Sequence, residues 1–429
     1  MNNNLKIYHQ CGFRSKWNFE VFQEDKIGDG FILSPYNMKK EELSKIEDEE
    51  LEKSFFDPQF YALGDYRESF LSYNFLDCVD TLSDYINDRD FIAQKTVNYQ
   101  NNLSIEYITI PTIDFDLLNT TDDFEYIYSL ISSNDYEGND NNLKILNEII
   151  IKPFVKRINE IETIKKVLLT VIFDENTARN NDKFTELLTL ITSYDIVDGI
   201  YIIPKCSKSY KRVSNIQFLQ KTMEFIDILK SINMEVIIGN SDIESLLYIV
   251  AGADAVTMGS YENLRHYDGT RFIKNEGTPR SPVPRLFSYK LLQWIDYTYL
   301  YPISQNIDMN DLFECNKYYE MTVPEGYKWH FSKSEPYKHY MMSYSNLIKK
   351  IPQEQSGRIK YVNQLFDDAK KAGSYLLNCG IILDDNSGGA HISQWQTALL
   401  QFANKKKKGD WYVSNWERFS HFFDCYAWK

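Results

Sequence analysis

The chain has 429 residues, of which 61 are acidic and 47 are basic, so its formal net charge is −14. A content of 43% hydrophobic and 25% charged residues is typical of a folded protein and excludes a disordered or fibrous chain. The acidic excess argues against a general polyanion binder, because phosphate backbones are bound by clustered Lys and Arg side chains. Any contact with a polyanion should therefore be confined to a local basic surface.

The sequence contains no run of about 18 apolar residues, which predicts that no segment spans a membrane. The N-terminus MNNNLKIYHQ lacks the basic-then-apolar layout of a signal peptide, which predicts a cytoplasmic protein. The cysteines lie far apart and none has CxxC spacing, so neither a disulfide framework nor a zinc site is expected. We expect mostly buried thiols at Cys11, Cys78, Cys206, Cys315, Cys379 and Cys425.

Short runs rich in Ile, Val, Phe and Tyr predict β-strands. Most of these runs are continuously apolar, as expected for strands that are covered on both faces. The predicted strands are Leu5–His9, Phe31–Ser34, Phe55–Phe60, Ile105–Pro111, Val167–Phe173, Gly199–Ile203, Glu235–Ile238 and Asp254–Met258.

Amphipathic segments between these runs predict helices at Lys39–Lys53, Asn142–Lys165 and Ser214–Ile232. A capping box, Ser241–Glu244, predicts the start of another helix. Eight alternating strand–helix units predict an α/β fold, a TIM-like (β/α)8 barrel. An open, doubly wound sheet with the same alternation is the alternative.

The strand–helix alternation stops near residue 300. Helices are predicted beyond it at Ile359–Ala372 and Ser393–Asn404. We therefore predict a catalytic barrel over residues 1–300 and a mostly helical, aromatic and basic C-terminal extension over residues 301–429. Two further segments stand apart. The acidic segment 119–142 is predicted as an inserted loop or a surface helix with a flexible end, and the proline-rich segment 274–285 as an extended basic loop.

In such a barrel, the active site forms at the carboxyl ends of the strands. Repulsion among carboxylates gathered there would raise some of their pKa values, which suits acid–base chemistry. Taken singly, an Asp at a strand end also fits a helix cap or a turn. The polar candidates are His9, Gln10, Tyr36, Asn37, Asp57, Gln59, Asp114, Asp116, Asp174, Glu175, Lys205, Asn240, Thr257, Ser260 and Glu262.

The segment EVIIGNSDIESLLYIVAGADAVTMGSYENLRHYDGTRF at 235–272 is the most distinctive part of the sequence. A strand ends at Gly239, a capped helix follows, and Ala-Gly-Ala-Asp opens the last strand. Gly259 and Ser260 then precede a short helix, whose N-terminus is a place where a phosphate could bind. Arg265, Gly269 and Phe272 complete the segment.

This layout resembles the tRNA-guanine transglycosylase family, over roughly residues 1–290. The family's seventh strand ends in Gly-Val-Gly, its eighth opens with Gly-x-Asp, and an Arg-rich loop ends in Gly-x-x-Phe. Other strands follow in the same order. Phe31–Tyr36 is similar to the family's second strand, Phe56–Phe60 stands at its Asp-Ser-Gly-Gly-Phe, Ile113–Asp116 near its Phe-Asp-Glu, and Phe173–Glu175 at its Val-Gln-Gly.

The family exchanges a nucleobase through attack of a carboxylate on the glycosidic carbon. The resemblance implies proton transfer by Asp57 and recognition of the base edge by Asp114, helped by Asp174. The family's nucleophilic Asp stands where this chain has Thr257, a poor nucleophile without a neighbouring base, and the family's Cys-x-Cys-x-x-Cys zinc site is missing. We therefore expect base removal by water rather than exchange, with Asp57, Asp174 or Glu175 as the catalytic carboxylate.

An enzyme that acts on a base must extrude the base and hold it in a pocket. Tyr36, Phe60 and Tyr61 are candidates for stacking on that base, and each fits an aromatic core equally well. The other predicted substrate contacts are Gln59, Asp114, Asp116, Ser260, Glu262 and Arg265. Basic residues near aromatic ones suit contact with a nucleic-acid backbone, the alternative being a solvated charged face. These are Arg271, Lys274, Arg280, Arg285, Lys405, Lys406, Lys407 and Lys408.

The sequence thus predicts an enzyme that removes a modified base from nucleic acid, without a cofactor or a metal. DNA is favoured over tRNA as the partner, and a role in defence against foreign DNA is an analogy with DNA-acting relatives of the family. One alternative is a barrel that has lost catalysis and binds nucleic acid as a sensor. The other is a metal- or phosphate-dependent hydrolase in which His9 and several carboxylates come together.

Overall fold

The structure is a computed structural model, and it describes residues 5–62, 68–75, 82–117, 140–206, 212–272, 283–322 and 329–408. One parallel sheet is formed by β1 (Lys6–Gln10), β2 (Gly30–Leu33), β3 (Phe55–Phe56), β4 (Tyr107–Ile110), β5 (Lys166–Asp174), β6 (Gly199–Lys205), β7 (Glu235–Ile238) and β8 (Ala255–Gly259). An antiparallel hairpin follows, made of β9 (Arg285–Ser288) and β10 (Gln293–Asp296).

The sheet curls into a nearly closed barrel. Its strand order is β3-β2-β1-β8-β7-β6-β5-β4, so the first strand pairs with both the second and the eighth. Between the two end strands, the backbone N–H of Glu106 donates a hydrogen bond of 3.2 Å to the carbonyl of Ser54. This order confirms the predicted TIM-like α/β barrel and excludes the open, doubly wound sheet.

Helices cover the outside of the barrel and form most of the C-terminal region, as predicted. A π-helical turn at Asn147–Ile151 joins the helices Asn141–Leu146 and Lys152–Glu160. The helices are α1 (Lys16–Asp25), α2 (Lys40–Leu43), α3 (Asp48–Leu51), α4 (Glu68–Leu71), α5 (Leu82–Asn101), α6 (Asn141–Leu146), α7 (Lys152–Glu160), α8 (Glu175–Arg179), α9 (Asn181–Thr192), α10 (Ile216–Ser231), α11 (Ser245–Ala251), α12 (Glu262–Arg265), α13 (Leu300–Ser304), α14 (Lys317–Thr322), α15 (Glu335–Lys349), α16 (Gln355–Asn378) and α17 (Ala390–Lys408).

Alternation along the strands separates two apolar layers. In β5, Val167, Leu169 and Val171 belong to the core between the sheet and the helices, whereas Leu168 belongs to a smaller cluster inside the barrel. Large rings fill that inner cluster, among them Tyr8, Phe55, Tyr107 and Tyr201. The barrel is therefore a packed core rather than a pore, and only side chains at its carboxyl end remain to form a site.

The amino-terminal end of the barrel is closed by charged residues. Lys6 pairs with Glu106 at 3.1 Å, and Lys166 pairs with Glu235 at 3.0 Å. The hydroxyl of Tyr107 donates to Glu235 at 2.6 Å. These pairs satisfy the polar groups at this end, so the chemistry is expected at the opposite end.

The C-terminal helices pack directly on the barrel. Helix α15 contacts α1 and β8, and α17 contacts α10 and α16. Their apolar residues join the same core as the outward side chains of the strands. The β9–β10 hairpin lies before the predicted boundary at residue 300. Its Leu286 and Ile295 pack with α13 and the chain that follows it, whereas Phe287 and Trp294 join the main core. Within the described ranges, no helix combines the length and the apolarity needed to cross a membrane.

Candidate active site at the barrel mouth

The carboxyl end of the barrel, here called the mouth, is covered by three short 3-10 turns that contact one another. They are Phe60–Ala62, Phe115–Leu117 and Gly269–Phe272. Four buried rings, here called the aromatic cover, pack beneath and between them. These are Tyr36, Tyr61, Tyr267 and Phe272. Two of the four, Tyr36 and Tyr61, were predicted to stack on a base, and the structure places both at the mouth.

Asp57 lies beneath the aromatic cover. It follows β3 directly, and its backbone N–H donates to the carbonyl of Leu33 at 2.8 Å, which extends the strand register by one residue. The side chain is fully buried. Its Oδ1 accepts from the backbone N–H of Gln59 at 3.0 Å, and its Oδ2 accepts from the hydroxyl of Tyr61 at 2.7 Å. Asp57 is thus fixed in one orientation by its own loop.

The environment of Asp57 suits proton transfer. Burial raises its pKa from 3.8 to about 6, although the hydrogen bonds from Tyr61 and Gln59 and the positive charge of Arg271 act in the opposite direction. A carboxyl with a pKa of about 6 is partly protonated near neutral pH, so it can both give and take a proton. Of the predicted catalytic carboxylates, Asp57 therefore best fits a general acid.

Asp114 forms the other charged part of the mouth. Lys205 at the end of β6 lies 2.5 Å from its Oδ1, and the hydroxyl of Tyr267 donates to its Oδ2 at 2.9 Å. Burial alone would lower the pKa of Lys205, but the carboxylates of Asp114 and Asp116 outweigh burial and raise it. Asp116 itself is mostly exposed and lies 2.7 Å from the same ammonium group. The mouth therefore holds an ion pair beside the titratable Asp57.

Two tyrosines of the aromatic cover link these carboxyl groups. Tyr61 bonds to Asp57 and Tyr267 bonds to Asp114, and their rings meet edge to face with centroids 5.6 Å apart. Arg271 lies in the same loop as Tyr267, with its guanidinium carbon 4.4 Å from the centroid of Phe272. One compact unit thus contains a titratable carboxyl, an ion pair and an arginine.

Several buried polar atoms on the inward side of the strands lack a hydrogen-bond partner among the described residues. Such atoms are rare in folded proteins, because a buried polar group without a partner costs free energy. Their concentration inside the carboxyl half of the barrel favours a polar ligand there. They are Ser34 Oγ, Gln59 Oε1 and Thr170 Oγ1.

The other two predicted catalytic carboxylates lie away from Asp57. Asp174 caps α8 by accepting from the backbone N–H of Thr177 at 2.7 Å. It lines a side pocket of about 150 Å³ together with Asp114 and Lys205. Glu175 is buried on the other side of this turn, 2.6 Å from Arg179. Asp174 therefore adjoins the site, and Glu175 serves a local ion pair.

Phe60 and His9 lie outside the mouth. Phe60 contacts Phe154 and other rings between the barrel and its helices, so it is a core residue and not a platform for a base. His9 points outward from β1, where Nε2 lies 2.8 Å from the carbonyl of Ile27 and burial lowers its pKa to about 4. The expected convergence of His9 with the carboxylates is therefore wrong, because alternation sends it to the opposite face of the strand.

In the parts of the chain that the structure describes, no three His, Cys, Asp or Glu side chains are placed to hold a metal ion.

The residues after β8, where a phosphate site was predicted, are enclosed by the turn that follows. A Cβ atom at Gly259 would lie 2.5 Å from Cβ of Leu264, so the following turn already fills that space. Ser260 is fully buried, and Thr257 Oγ1 accepts from the backbone N–H of Ser241 at 3.3 Å. Glu262 and Arg265 line a separate cleft on the same end of the barrel.

The predicted backbone-binding residues are dispersed. Arg271 lies at the mouth, Arg285 lines the separate cleft, and Lys274 and Arg280 lie outside the described residues. Lys406 pairs with Asp227 near the end of α10, the helix that returns to the amino-terminal end of the barrel. The run Lys405–Lys408 therefore lies at the end of the barrel opposite the mouth and does not border it, although Lys405 and Lys407 are exposed there.

No protein-family model matches the chain, and no curated protein matches its sequence. The fold is a TIM-like barrel with a C-terminal helical region. A barrel of this kind supports many unrelated functions, so the resemblance to tRNA-guanine transglycosylases stays a prediction from the sequence.

Proposed function

We propose that the protein hydrolyses the N-glycosidic bond of a base extruded from nucleic acid, with DNA as the preferred partner. The observation that carries the proposal is the state of Asp57, a fully buried carboxyl with a pKa of about 6 beside the Asp114–Lys205 ion pair. Enzymes that cleave glycosidic bonds combine a protonated carboxyl with a charged one, and their environments set the two roles.

In the proposed reaction, Asp57 acts first as the general acid and then as the general base. As the bond between C1′ and the base nitrogen breaks, Asp57 donates its proton to the leaving base. Water then bonds to C1′, and the carboxylate of Asp57 takes the proton that this water releases. The products are the free base and an abasic sugar, and Asp57 returns to its starting state.

Asp114 and Lys205 suit recognition of the base edge. A carboxylate accepts hydrogen bonds and an ammonium group donates them, so the pair can read a base that carries both donors and acceptors. The unpartnered atoms of Ser34 and Gln59 add further polar groups at the same end of the barrel. A modified base, as found in some foreign DNA, would use more of these groups than an unmodified one, which is why we extend the proposal to antiviral defence.

Hydrolysis is favoured over base exchange by the surroundings of Thr257. Exchange through a covalent intermediate needs a nucleophile on the eighth strand, and a threonine needs a neighbouring base for that role. Its hydroxyl instead meets the backbone N–H of Ser241 at 3.3 Å and the hydroxyl of Ser241 at 3.4 Å. Neither group is a base, so water is the proposed acceptor of the sugar.

The aromatic cover must move for a base to reach Asp57, since Tyr36, Tyr61 and Tyr267 are all buried. Rings that pack on one another in the closed state are able to stack on a base when it enters, which replaces one aromatic contact by another. The aromatic cover is thus the surface that receives the extruded base.

The test is incubation of the protein with unmodified DNA, base-modified phage DNA and tRNA, followed by detection of abasic sites and released base. We expect release from modified DNA. Binding of DNA without release from any substrate would instead identify a sensor, and release that a chelator abolishes would identify a metal-dependent hydrolase.

A further inference from the structure

A second cleft, here called the arginine cleft, lies beside the mouth on the same end of the barrel. Its volume is about 90 Å³, and its lining includes Arg212, Arg265, Arg285, Trp294 and Trp329. The three arginines come from different parts of the chain, the loop after β6, the turn after β8 and the start of β9. The fold therefore brings together guanidinium groups that are distant in sequence.

Charge in the arginine cleft is in positive excess. Asp242 and Glu262 are the acidic residues of its lining, against three arginines. Arg265 is engaged by Asp242 at 3.2 Å and lies over the ring of Trp294, with its guanidinium carbon 4.2 Å from the ring centroid. Arg285 has a longer ion pair, with Nη1 3.8 Å from Glu262. After the two acidic residues of the lining are paired, one of its three arginine charges remains without an acidic partner in the lining.

Neighbouring titratable groups offset this excess only in part. Asp384 acts electrostatically on Arg285, but it is exposed to solvent and its carboxylate already accepts from the backbone N–H of Ser387 at 2.8 Å. Burial lowers the pKa of Arg212 to about 10, so the guanidinium stays charged at neutral pH, where it donates to the carbonyls of Asn386 and Gly388 at 3.2 Å. Burial and the charge of Asp242 raise the pKa of Glu244, which favours the neutral form of this nearby carboxyl. Among the residues that line the cleft, three guanidinium groups therefore face two carboxylates.

Unpartnered donors distinguish this cleft from an ordinary charged surface. The buried Nε of Arg285 and the indole N–H groups of Trp294 and Trp329 have no acceptor among the described residues. Trp294 is only 7% exposed, so bulk water does not serve its N–H. All three unpartnered atoms of the lining are donors, which calls for a ligand rich in acceptor oxygens.

We propose that the arginine cleft binds a phosphoryl group. A phosphoryl group offers at least two charged or polar acceptor oxygens beyond its linkage, matches the planar guanidinium fork, and compensates the positive excess. The volume is several times the ~10–15 Å³ that one water needs, so it admits a group of several heavy atoms. This inference goes beyond the proposed function, because it concerns a site separate from Asp57.

The phosphoryl group has two chemical sources, a phosphodiester of a nucleic acid and a monoester on a small molecule. Nuclear magnetic resonance of the indole N–H groups tests binding directly and needs no catalysis. The signals of Trp294 and Trp329 are assigned with the variants Trp294→Phe and Trp329→Phe of the full chain. Inorganic phosphate, a dinucleotide without a terminal phosphate and a sugar phosphate are then titrated separately.

We expect phosphate to shift both indole signals and Arg285→Gln to weaken this response about tenfold or more, as for a lost charge-assisted hydrogen bond. Arg157→Gln is the matched control. It removes the same charge from α7, where the guanidinium bonds to Asn98 and Glu160, and its response should equal that of the wild type.

A response to the dinucleotide identifies nucleic acid as the source, and a response to the sugar phosphate alone identifies a small molecule. The absence of any shift, or an Arg285→Gln protein that titrates like the wild type, would overturn the proposal. Asp57→Asn should leave the phosphate response intact, so a failure of the base-removal proposal and a failure of this one are separable.

Discussion

The hydroxyl of Tyr61 lies 2.7 Å from Oδ2 of Asp57, and both residues are buried in the same turn at the barrel mouth. Burial raises the pKa of Tyr61 well above its ordinary value and that of Asp57 to about 6. The proton therefore stays on the phenol, which acts as a donor, and Asp57 is the member of the pair that titrates near neutral pH. This relationship determines the pH dependence of the proposed reaction.

Tyr61→Phe should shift that dependence upward. The hydrogen bond from Tyr61 lowers the pKa of Asp57, so its removal raises this pKa above about 6. Because the proposed acid must be protonated, base release should persist to a pH about one to two units higher, the equivalent of a hydrogen bond to a charged group. The pH profile of base release measures this. Tyr73→Phe is the control, since that buried hydroxyl donates to the carbonyl of Met38 in the core outside the mouth. An unchanged or lowered upper limit for Tyr61→Phe would contradict the role of Asp57.

Asp57 should also make folding stability depend on pH. Its pKa is raised from 3.8 to about 6 in the folded chain, so the folded state holds the proton more tightly than the unfolded state. The stabilisation is complete below about pH 4 and is lost as the pH rises through about 6, by up to about 3 kcal/mol. Urea unfolding of the wild type and Asp57→Asn across this range isolates the effect. Asp57→Asn should gain stability relative to the wild type as the pH rises, and a constant difference would show that Asp57 has an ordinary pKa.

The Asp114–Lys205 pair should be strongly coupled. Asp114 is 3% exposed and Lys205 is 15% exposed, so removal of either partner leaves a poorly hydrated charge. Lys205→Met should lower the free energy of unfolding by about 3–5 kcal/mol. The double variant Asp114→Asn/Lys205→Met should recover part of that loss, because no unpaired charge remains. Denaturant unfolding of all four proteins gives the coupling energy. Additive losses would mean that the two groups do not interact in solution.

Two glycines provide a matched test of the fold. Gly28 has a φ of +89°, and a Cβ there would lie 2.6 Å from Nε2 of the buried His9. Gly28→Ala should therefore destabilise the protein by about 1–3 kcal/mol through strain and overpacking. Gly373 lies inside α16 with no atom within 4 Å of an added Cβ, so Gly373→Ala should stabilise by up to about 1 kcal/mol. Thermal unfolding distinguishes the two. Equal effects of both substitutions would contradict the placement of His9 against Gly28.

Hydrophobic runs predict the barrel because a parallel strand covered on both faces must be continuously apolar. The predicted strand Glu235–Ile238 coincides with β7, and Val167–Phe173 lies within β5. The helix predicted over Lys39–Lys53 is instead α2 and α3, with a break after Leu43 where the Ser44 hydroxyl bonds back to the carbonyl of Glu41. Local hydrogen bonding of this kind competes with a helix and is not visible in apolar periodicity.

The site is only partly visible in the sequence. The position of Asp57 directly after the apolar residues of β3 predicts that it lies at the mouth. Phe60, which the predicted strand includes, instead packs in the core between the barrel and its helices. Tyr201 was missed, although its spacing of two and four residues from Ile203 and Lys205 marks the inward face of β6. Tyr267 lies in a loop, and outside strands and helices no sequence periodicity predicts which way a side chain points. The arginine cleft requires contacts across more than 50 residues, which a linear pattern does not contain.

The rate of base release from base-modified DNA by the wild type and Asp57→Asn tests the central claim most directly. Asp90→Asn is the control, because that carboxyl is exposed on α5 and pairs with Lys156 at 3.3 Å. We expect the wild type and Asp90→Asn to release base at the same rate, with one abasic site formed for each free base. For Asp57→Asn we expect a rate at least about 100-fold lower, as for the loss of a general acid. Release by Asp57→Asn at the wild-type rate would contradict it.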